Sequence, residues 1–264
     1  MSTFAIGDVH GNLAALERVL ELVGAEVDPG DTVVFLGDYI DRGPNTAQCI
    51  DLILDFQRTC PAHVVALLGN HEDWLLRSLH DHSDHCWLLA TNATRTIESY
   101  SPDAAAEIKR CAKAAGLALY QGQVALPYDL FVDALWPGHL QFLKSLQTYH
   151  RTADVMCVHG GLDPSAGPPE MQDRWSLIWG MEGFQHRYAE TTPLVYGHWS
   201  NALISPDGRV EPLVVGRTIG IDSIKAGTLT AIKMPEAVLL ESNGSRSWIY
   251  SSLSVRRLAR LTDV

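Results

Sequence analysis

Five loops in this sequence present carboxylate, imidazole or carboxamide side chains directly after an apolar run. In chain order the loops carry Asp8 with His10, then Asp38, Asn70, His159 and His198. Manganese, iron and zinc accept such mixed oxygen and imidazole ligands, whereas the loops supply no thiolate for a structural zinc cluster. A single loop of this kind is readily explained as a turn or a helix cap. Five in order predict one shared metal site.

The loop at residues 37–43 carries the most candidate functional side chains, because Asp38, Asp41 and Arg42 lie within five positions. It follows the apolar run 33–36, which predicts a buried strand that delivers Asp38 at its C-terminal end. Taken alone, the loop is equally typical of an Asx-type turn with a surface ion pair. The neighbouring loops favour the functional interpretation.

Repeats of strand, loop and helix position these side chains. Apolar runs at 4–6, 33–36 and 64–68 are each followed by a loop and by apolar residues at helical spacing, with Asn12 predicted to cap the first helix. Three such units predict a mainly parallel sheet with right-handed crossovers, so their loops should meet at one edge.

The pattern changes to helices and loops from about residue 80 to 150, including a helix that Pro102 begins and Gly116 ends. We interpret this block as a lid-like insertion within a single domain spanning 1–264. Apolar runs before His159 and His198 resume the strand pattern.

The sequence beyond residue 200 has a period closer to two. A turn at 204–210 and short strands near 214–215, 228–232 and 238–240 predict a second mixed sheet packed on the first. A polar face of a C-terminal helix is predicted from Arg256, Arg257 and Arg260.

Composition narrows the function classes. The 264 residues are 46% hydrophobic and can bury a full core, and a net charge of -11 disfavours a surface that binds nucleic acid. Five scattered cysteines without a CxxC pair indicate reduced thiols and a cytoplasmic protein. We expect no signal peptide, because the N-terminus has neither a basic region nor a long apolar run. We also expect no membrane contact, since no apolar run approaches the roughly 18 residues that a membrane span needs.

Four motifs resemble, in order, the signature of the PPP-type metallophosphatases within the calcineurin-like metallophosphoesterases. They are Gly-Asp-Val-His-Gly at 7–11, Gly-Asp-Tyr-Ile-Asp-Arg-Gly at 37–43, Gly-Asn-His-Glu at 69–72 and His-Gly-Gly at 159–161. The chain most resembles the short bacterial and phage serine/threonine phosphatases of that group. This resemblance implies an α/β sandwich of two mixed β-sheets flanked by helices.

The resemblance also implies two divalent metal ions, manganese foremost and iron or zinc as alternatives. It assigns Asp8 and His10 to one ion, Asn70, His159 and His198 to the other, and Asp38 to both. In such a site a hydroxide shared by the two ions attacks phosphorus in line.

Catalytic and substrate-binding roles follow from the same resemblance. His71 is expected to be the general acid, oriented by Asp41, while Arg42 and Asn70 bind the substrate phosphate.

Family members carry a second phosphate-binding arginine near a tryptophan between the last two metal histidines. Here Met181 stands at that place beside Trp179, with Arg174 and Arg187 flanking the segment. We assign Arg174 to the substrate-binding group on that basis, and Arg187 stays open as an alternative.

The function expected is phosphomonoester hydrolysis, with serine/threonine or also tyrosine phosphoproteins, or small phosphoesters, as substrates. Close relatives that hydrolyse symmetrical dinucleoside tetraphosphates are the alternative, but they typically have alanine in place of Asp41 and aspartate in place of Glu72. A noncatalytic metal-binding scaffold is a third interpretation, disfavoured because every ligand position is present. The sequence leaves the oligomeric state open.

Overall fold

Two mixed β-sheets lie face to face in this computed structural model, which describes residues 1–201 and 211–248. The strands are β1 (Thr3–Ile6), β2 (Thr32–Phe35), β3 (His63–Ala66), β4 (Tyr149–Arg151), β5 (Met156–Val158), β6 (Leu194–Tyr196), β7 (Leu213–Val215), β8 (Thr218–Gly220), β9 (Thr230–Met234), β10 (Val238–Glu241) and β11 (Arg246–Trp248). One sheet has the order β11-β10-β9-β1-β2-β3 and the other β4-β5-β6-β8-β7. The predicted sandwich of two mixed sheets is confirmed.

Helices flank the sheets in the described part of the chain. They are α1 (Leu13–Gly24), α2 (Thr46–Thr59), α3 (Asn70–His80), α4 (Cys86–Ala90), α5 (Ala93–Tyr100), α6 (Pro102–Ala115), α7 (Leu117–Tyr120), α8 (Asp129–Ala134), α9 (His139–Lys144), α10 (Arg174–Trp179) and α11 (Phe184–Arg187). Short 3-10 helices occur at Pro169–Met171 and Ile224–Ala226.

Helix α1 illustrates how the sequence builds these units. The Asn12 side chain accepts a hydrogen bond from the Ala15 backbone N–H at 3.3 Å, which caps the helix as predicted. The apolar residues at helical spacing, Leu16, Val19 and Val23 among them, are fully buried. Burying this stripe against the sheet holds α1 in place, because a helix of this length is marginal alone.

The register of the parallel strands places the loops that follow them at the same edge of each sheet. In the first sheet Ile6 pairs with Phe35 and Phe35 with Ala66, all in parallel strands. In the second sheet Val158 pairs with Tyr196 in the same way. The chain therefore leaves each of these strands at the same edge, where polar loop residues of both sheets can meet.

The assignment of the late strands needs correction. The sequence predicted that the strands beyond residue 200 make the second sheet, but β9 pairs antiparallel with β1, and β10 and β11 continue the first sheet outward from β9. Only β7 and β8 join the second sheet. A two-residue period identifies a strand and its buried face, but not the edge to which it adds. The predicted turn at 204–210 and the arginines Arg256, Arg257 and Arg260 lie outside the described residues.

The block from about 80 to 150 packs into the main core. Trp87, Ile97 and Phe131 are completely buried in the same apolar cluster as Leu16 of α1. Helix α5 lies against α2 and α6. The block therefore contributes to the core, and its function as a lid stays a prediction.

Among the described residues, the helices are too short or too polar to cross a bilayer.

Candidate metal centre

The predicted ligand residues meet where the parallel strands of both sheets end. Asp38 lies at the middle, with His10 Nε2 3.4 Å from its Oδ2 atom and His159 Nε2 3.3 Å from its Oδ1 atom. The carboxylate is 1% exposed. One carboxylate thus faces a histidine on each side, which is the placement a ligand bridging two cations requires.

Asp8 lies next to His10, with 3.9 Å between Asp8 Oδ2 and His10 Nε2. The backbone N–H of His198 donates to both carboxylate oxygens of Asp8, at 3.1 and 3.2 Å. This contact links the loop after β1 in the first sheet to the loop after β6 in the second.

On the other side of Asp38, three polar side chains converge. The Asn70 Oδ1 atom lies 3.1 Å from His159 Nε2 and 2.9 Å from His198 Nδ1. Asp38, His159 and His198 offer ligand atoms that all lie within 4.8 Å of one another. The set of carboxylate, carboxamide and imidazole donors suits manganese, iron or zinc.

Two backbone carbonyls fix the tautomers of the ligand histidines. His10 Nδ1 donates to the Ile40 carbonyl at 2.8 Å, and His159 Nδ1 donates to the Leu36 carbonyl at 2.9 Å. In a neutral imidazole this leaves the Nε2 lone pair free. The Nε2 atom of His10 is buried and has no hydrogen-bond partner in the described chain. An orphaned buried acceptor beside two carboxylates is satisfied by a cation, so the residues fit a metal ion.

Burial and local electrostatics favour the ligand forms of three histidines and of Asp38, whereas burial, Asp222 and Asp38 raise the pKa of Asp8. Burial lowers the pKa of His10 and His159, and burial together with His159 lowers the pKa of His198 to about 3, so the imidazoles are neutral. Burial raises the pKa of Asp38, but electrostatic interactions with the surrounding imidazoles outweigh it, and the net shift is downward. Asp38 is therefore ionised at neutral pH.

The backbone is strained where the site is built. Positive φ occurs at six non-glycine residues of the described chain, and five belong to the predicted site, the sixth being Ala237. The five are His10, Asp38, Asp41, Arg42 and His198. Such conformations are uncommon for residues with a Cβ and concentrate at functional sites.

Two glycines allow the central loops to approach. A Cβ on Gly37 would lie 2.7 Å from the Gly69 backbone N and 2.9 Å from His159 Nδ1. A Cβ on Gly69 would overlap the Asp38 carboxylate and backbone N. Only glycine permits this packing without displacing Asp38.

Glu72 has a structural function that the sequence did not assign. Its carboxylate accepts hydrogen bonds from the backbone N–H groups of Asp38, Tyr39 and Ile40 at 3.0, 2.8 and 3.1 Å, and from Gly69 at 3.2 Å. Burial and the Asp38 charge raise the pKa of Glu72. The only sequence signal was its place in the motif at 69–72.

His71 and Asp41 form a pair beside the ligand cluster. His71 Nδ1 lies 2.7 Å from Asp41 Oδ2. Trp87 Nε1 donates to both Asp41 oxygens at 3.1 and 3.0 Å, and Thr96 Oγ1 donates to Oδ1 at 2.6 Å. Sequence reasoning missed Trp87 and Thr96, because no motif connects them to Asp41, which lies 46 and 55 positions earlier.

His71 also has the geometry of a metal ligand, since His10, Asp38 and His71 offer atoms within 4.8 Å of one another. Its Nε2 atom lies 3.8 Å from Asp38 Oδ2 but also 3.5 Å from an Arg42 guanidinium nitrogen. A guanidinium that close disfavours a metal cation at the same nitrogen. Burial lowers the pKa of His71, but Asp38 and Asp41 outweigh it, so the net shift is upward.

Arg174 lies at the start of α10 and forms an ion pair with Asp73 at 2.5 Å. Asp73 lies three residues after Asn70, so the pair ties α10 to the beginning of α3. Met181, which stands where a second arginine was expected, is 41% exposed.

Trp74, Trp175 and Trp179 pack together beside His198, and we call this group the tryptophan wall. The Trp175 and Trp179 rings stack with centroids 4.9 Å apart, and Trp74 lies 4.8 Å from Trp179. Trp179 contacts the His198 ring edge to face at 5.2 Å. The wall gives the site one apolar, planar side, with Trp175 56% exposed.

Solved structures with a similar fold include phosphatases. The cold-active protein-tyrosine phosphatase of a psychrophile Shewanella sp. is 20% identical with a TM-score of 0.59, over 94% of this chain and 80% of that one. A structure described as a "putative diadenosine tetraphosphatase" is 19% identical with a TM-score of 0.56, over 94% of this chain and 95% of that one. At these identities the likeness concerns the fold.

A family model described as calcineurin-like phosphoesterase matches residues 1–215, which include every predicted metal ligand. This family uses a dinuclear metal centre and has phosphoesterase activity. The chain therefore belongs to the calcineurin-like phosphoesterases.

Proposed function

We propose that the protein is a metal-dependent phosphomonoesterase that acts on phosphoserine and phosphothreonine in proteins, with phosphotyrosine as a further substrate. The observation that carries the proposal is the position of Asp38 between His10 and His159, with the His71–Asp41 pair beside it. A dinuclear site next to an oriented proton donor suits phosphoester hydrolysis.

The proposed ligands are Asp8, His10 and Asp38 for one ion, and Asp38, Asn70, His159 and His198 for the other. Manganese is the first choice, and iron and zinc are the alternatives. Two such ions would lower the pKa of a water molecule and neutralise the oxygens of the substrate phosphate.

His71 is proposed to protonate the leaving oxygen. Asp41 accepts a hydrogen bond from Nδ1, so the second proton of the imidazolium is on Nε2, from which it can pass to the leaving oxygen. Trp87 and Thr96 keep the Asp41 carboxylate in one orientation. The net upward shift in the pKa of His71 favours the protonated imidazole that a general acid requires.

Arg42 is proposed to bind the nonbridging phosphate oxygens. It forms no ion pair with a carboxylate of the described chain and lies 3.5 Å from His71, so its guanidinium is available to the substrate. Asn70 is proposed to contact the same phosphate. Arg174 is proposed as a weaker contributor, because Asp73 already holds its guanidinium.

The test is hydrolysis of p-nitrophenyl phosphate with and without manganese, in the wild type and in Asp38→Asn. We expect manganese-stimulated turnover that falls at least about 100-fold in the variant, since Asp38 serves both ions. Absence of turnover with manganese, iron and zinc alike would instead support a noncatalytic metal-binding scaffold.

Symmetrical hydrolysis of a dinucleoside tetraphosphate is the second candidate. The exposed tryptophan wall beside His198 favours it, because a nucleobase could stack on Trp175. Turnover on a phosphopeptide and on diadenosine tetraphosphate under one set of conditions separates the candidates. A preference for the dinucleotide would reverse the ranking.

A further inference from the structure

A cavity of about 420 Å³ opens beside His10, on the same side as Arg42. Its lining includes Arg42, Asn12, Asn45 and Lys225, the last from the 3-10 helix Ile224–Ala226. The cavity therefore adjoins the proposed metal site through His10 and the proposed phosphate site through Arg42.

The two cations of this cavity have no ion-pair partners within the described residues. Neither Arg42 nor Lys225 has a carboxylate of that part of the chain within 4.0 Å, although the whole sequence carries a net charge of -11. Both side chains are close enough to Asp222 to lower its pKa, against the larger upward effect of burial. Asp222 is 1% exposed and does not line the cavity.

The N-terminus of α2 adjoins the cavity without a side-chain cap, whereas the N-terminus of α1 is already capped by Asn12. Asn12 and Asn45 precede α1 and α2, helices of 12 and 14 residues, and both asparagines line the cavity. The Asn45 side chain makes no capping hydrogen bond, so its carboxamide is available to a ligand. Helix N-termini attract anions because their first N–H groups lack intrahelical partners.

The cavity has the size of a small-molecule site, which begins at about 300 Å³, and so has room for a group beside the scissile phosphate. We propose that it binds a second anionic group of the substrate, through Lys225 and the Asn45 carboxamide, while Arg42 holds the scissile phosphate. The inference rests on the proposed function. It names the substrate class as phosphoesters with a further carboxylate or phosphate near the reacting phosphorus.

The test compares two phosphoserine peptides that differ only in flanking glutamates or glutamines, together with diadenosine tetraphosphate. The variants are Lys225→Gln, the charge-conserving Lys225→Arg, and Lys113→Gln as a matched exposed control on α6. We expect Lys225→Gln to lower the acidic-to-neutral ratio of kcat/KM about tenfold, mainly through KM. Lys225→Arg and Lys113→Gln should keep the wild-type ratio.

Calorimetry with nonhydrolysable phosphonate analogues of both peptides gives a second measurement that does not need turnover. The ratio of the two Kd values should change about tenfold in Lys225→Gln. If Lys225→Gln changes the ratio of Kd values but the protein hydrolyses no phosphoester, the anion site is supported and the proposed function is contradicted.

Comparing the peptides with the tetraphosphate shows whether the site binds a carboxylate or a second phosphate of the substrate. A response with the acidic peptide supports a carboxylate, and a response with the tetraphosphate alone supports a second phosphate. An equal loss on every substrate would show that Lys225 serves the scissile phosphate and would overturn the proposal. An unchanged peptide ratio in Lys225→Gln, in kinetics and in binding, together with wild-type kcat/KM on the tetraphosphate, would also overturn it.

Discussion

Asp41 is a buried carboxylate that holds His71, the proposed general acid, in one orientation. Its two oxygens accept hydrogen bonds from His71, Trp87 and Thr96, so the carboxylate has little freedom to rotate. The resemblance in sequence implied the pair of Asp41 and His71. The two residues that hold Asp41 lie in the block from 80 to 150, where the sequence carries helix patterns but no motif.

Replacing His71 with asparagine should separate proton transfer from metal binding. We expect kcat on an alkyl phosphomonoester to fall about 100-fold or more, which is the usual contribution of a positioned acid. The number of metal ions per chain, measured by plasma mass spectrometry, should stay at the wild-type value. Loss of metal in this variant would identify His71 as a ligand.

Arg42 and Arg174 should differ in importance. Arg42→Ala removes a guanidinium that has no competing carboxylate among the described residues, and we expect kcat/KM to fall about 100-fold, as for a lost charge-assisted contact. Arg174→Ala breaks the ion pair with Asp73 and should lower kcat/KM about tenfold or less, because that guanidinium is already engaged. Steady-state kinetics on p-nitrophenyl phosphate measures both. Equal losses would place Arg174 directly on the substrate.

At the scale of the elements, the site depends on strands of two sheets that end at the same level. Apolar runs predicted β1, β2, β5 and β6 and the loops that follow them, because fully buried parallel strands leave a strong signal. The pairing of β9 with β1 left no comparable signal, since strand order is decided by packing between distant segments. Glu72 was missed as a support of the Asp38 loop because its four donors are backbone N–H groups.

Replacing Gly69 tests the close approach of the loop that carries Asp38 to the loop before α3. In Gly69→Ala the new methyl group overlaps the Asp38 carboxylate and backbone, so we expect a loss of about 1–3 kcal/mol in the free energy of unfolding. Metal affinity should fall as well. Gly24→Ala is the matched control, because no atom lies within 4 Å of the position that its new methyl group would take. Equal stability of the two variants in urea would contradict this packing.

At the scale of the whole molecule, one apolar layer joins the two sheets. Val34 of β2 and Val195 of β6 are completely buried in the same cluster. This layer fixes the distance between the sheets and thus between the proposed metal ligands that follow their strands. The charge of -11 and the count of apolar residues predicted a folded acidic domain, but they carry no information on this spacing.

Asp31 contributes to stability in a pH-dependent way. Burial raises the pKa of Asp31, but hydrogen bonds from the backbone N–H groups of Ser2 and Asp28, at 2.6 and 3.0 Å, outweigh it and lower the pKa. A carboxylate with a depressed folded-state pKa stabilises the protein above its unfolded pKa. That stability is lost as the pH falls through the folded-state value.

In metal-free protein, Asp31→Asn should therefore lower the free energy of unfolding by about 1 kcal/mol at about pH 6.5, and by less near about pH 3. Urea unfolding at the two pH values measures the difference. Asp154→Asn, at an exposed position, is the control and should match the wild type at both. A deficit in Asp31→Asn that grows at low pH would contradict this explanation.

The position of Asp38 between two groups of ligands is the central claim, and anomalous diffraction from crystals grown with manganese tests it most directly. We expect two manganese peaks, one on each side of the Asp38 carboxylate, about 3.5–4 Å apart. A single peak, or peaks that Asp38 does not touch, would contradict it.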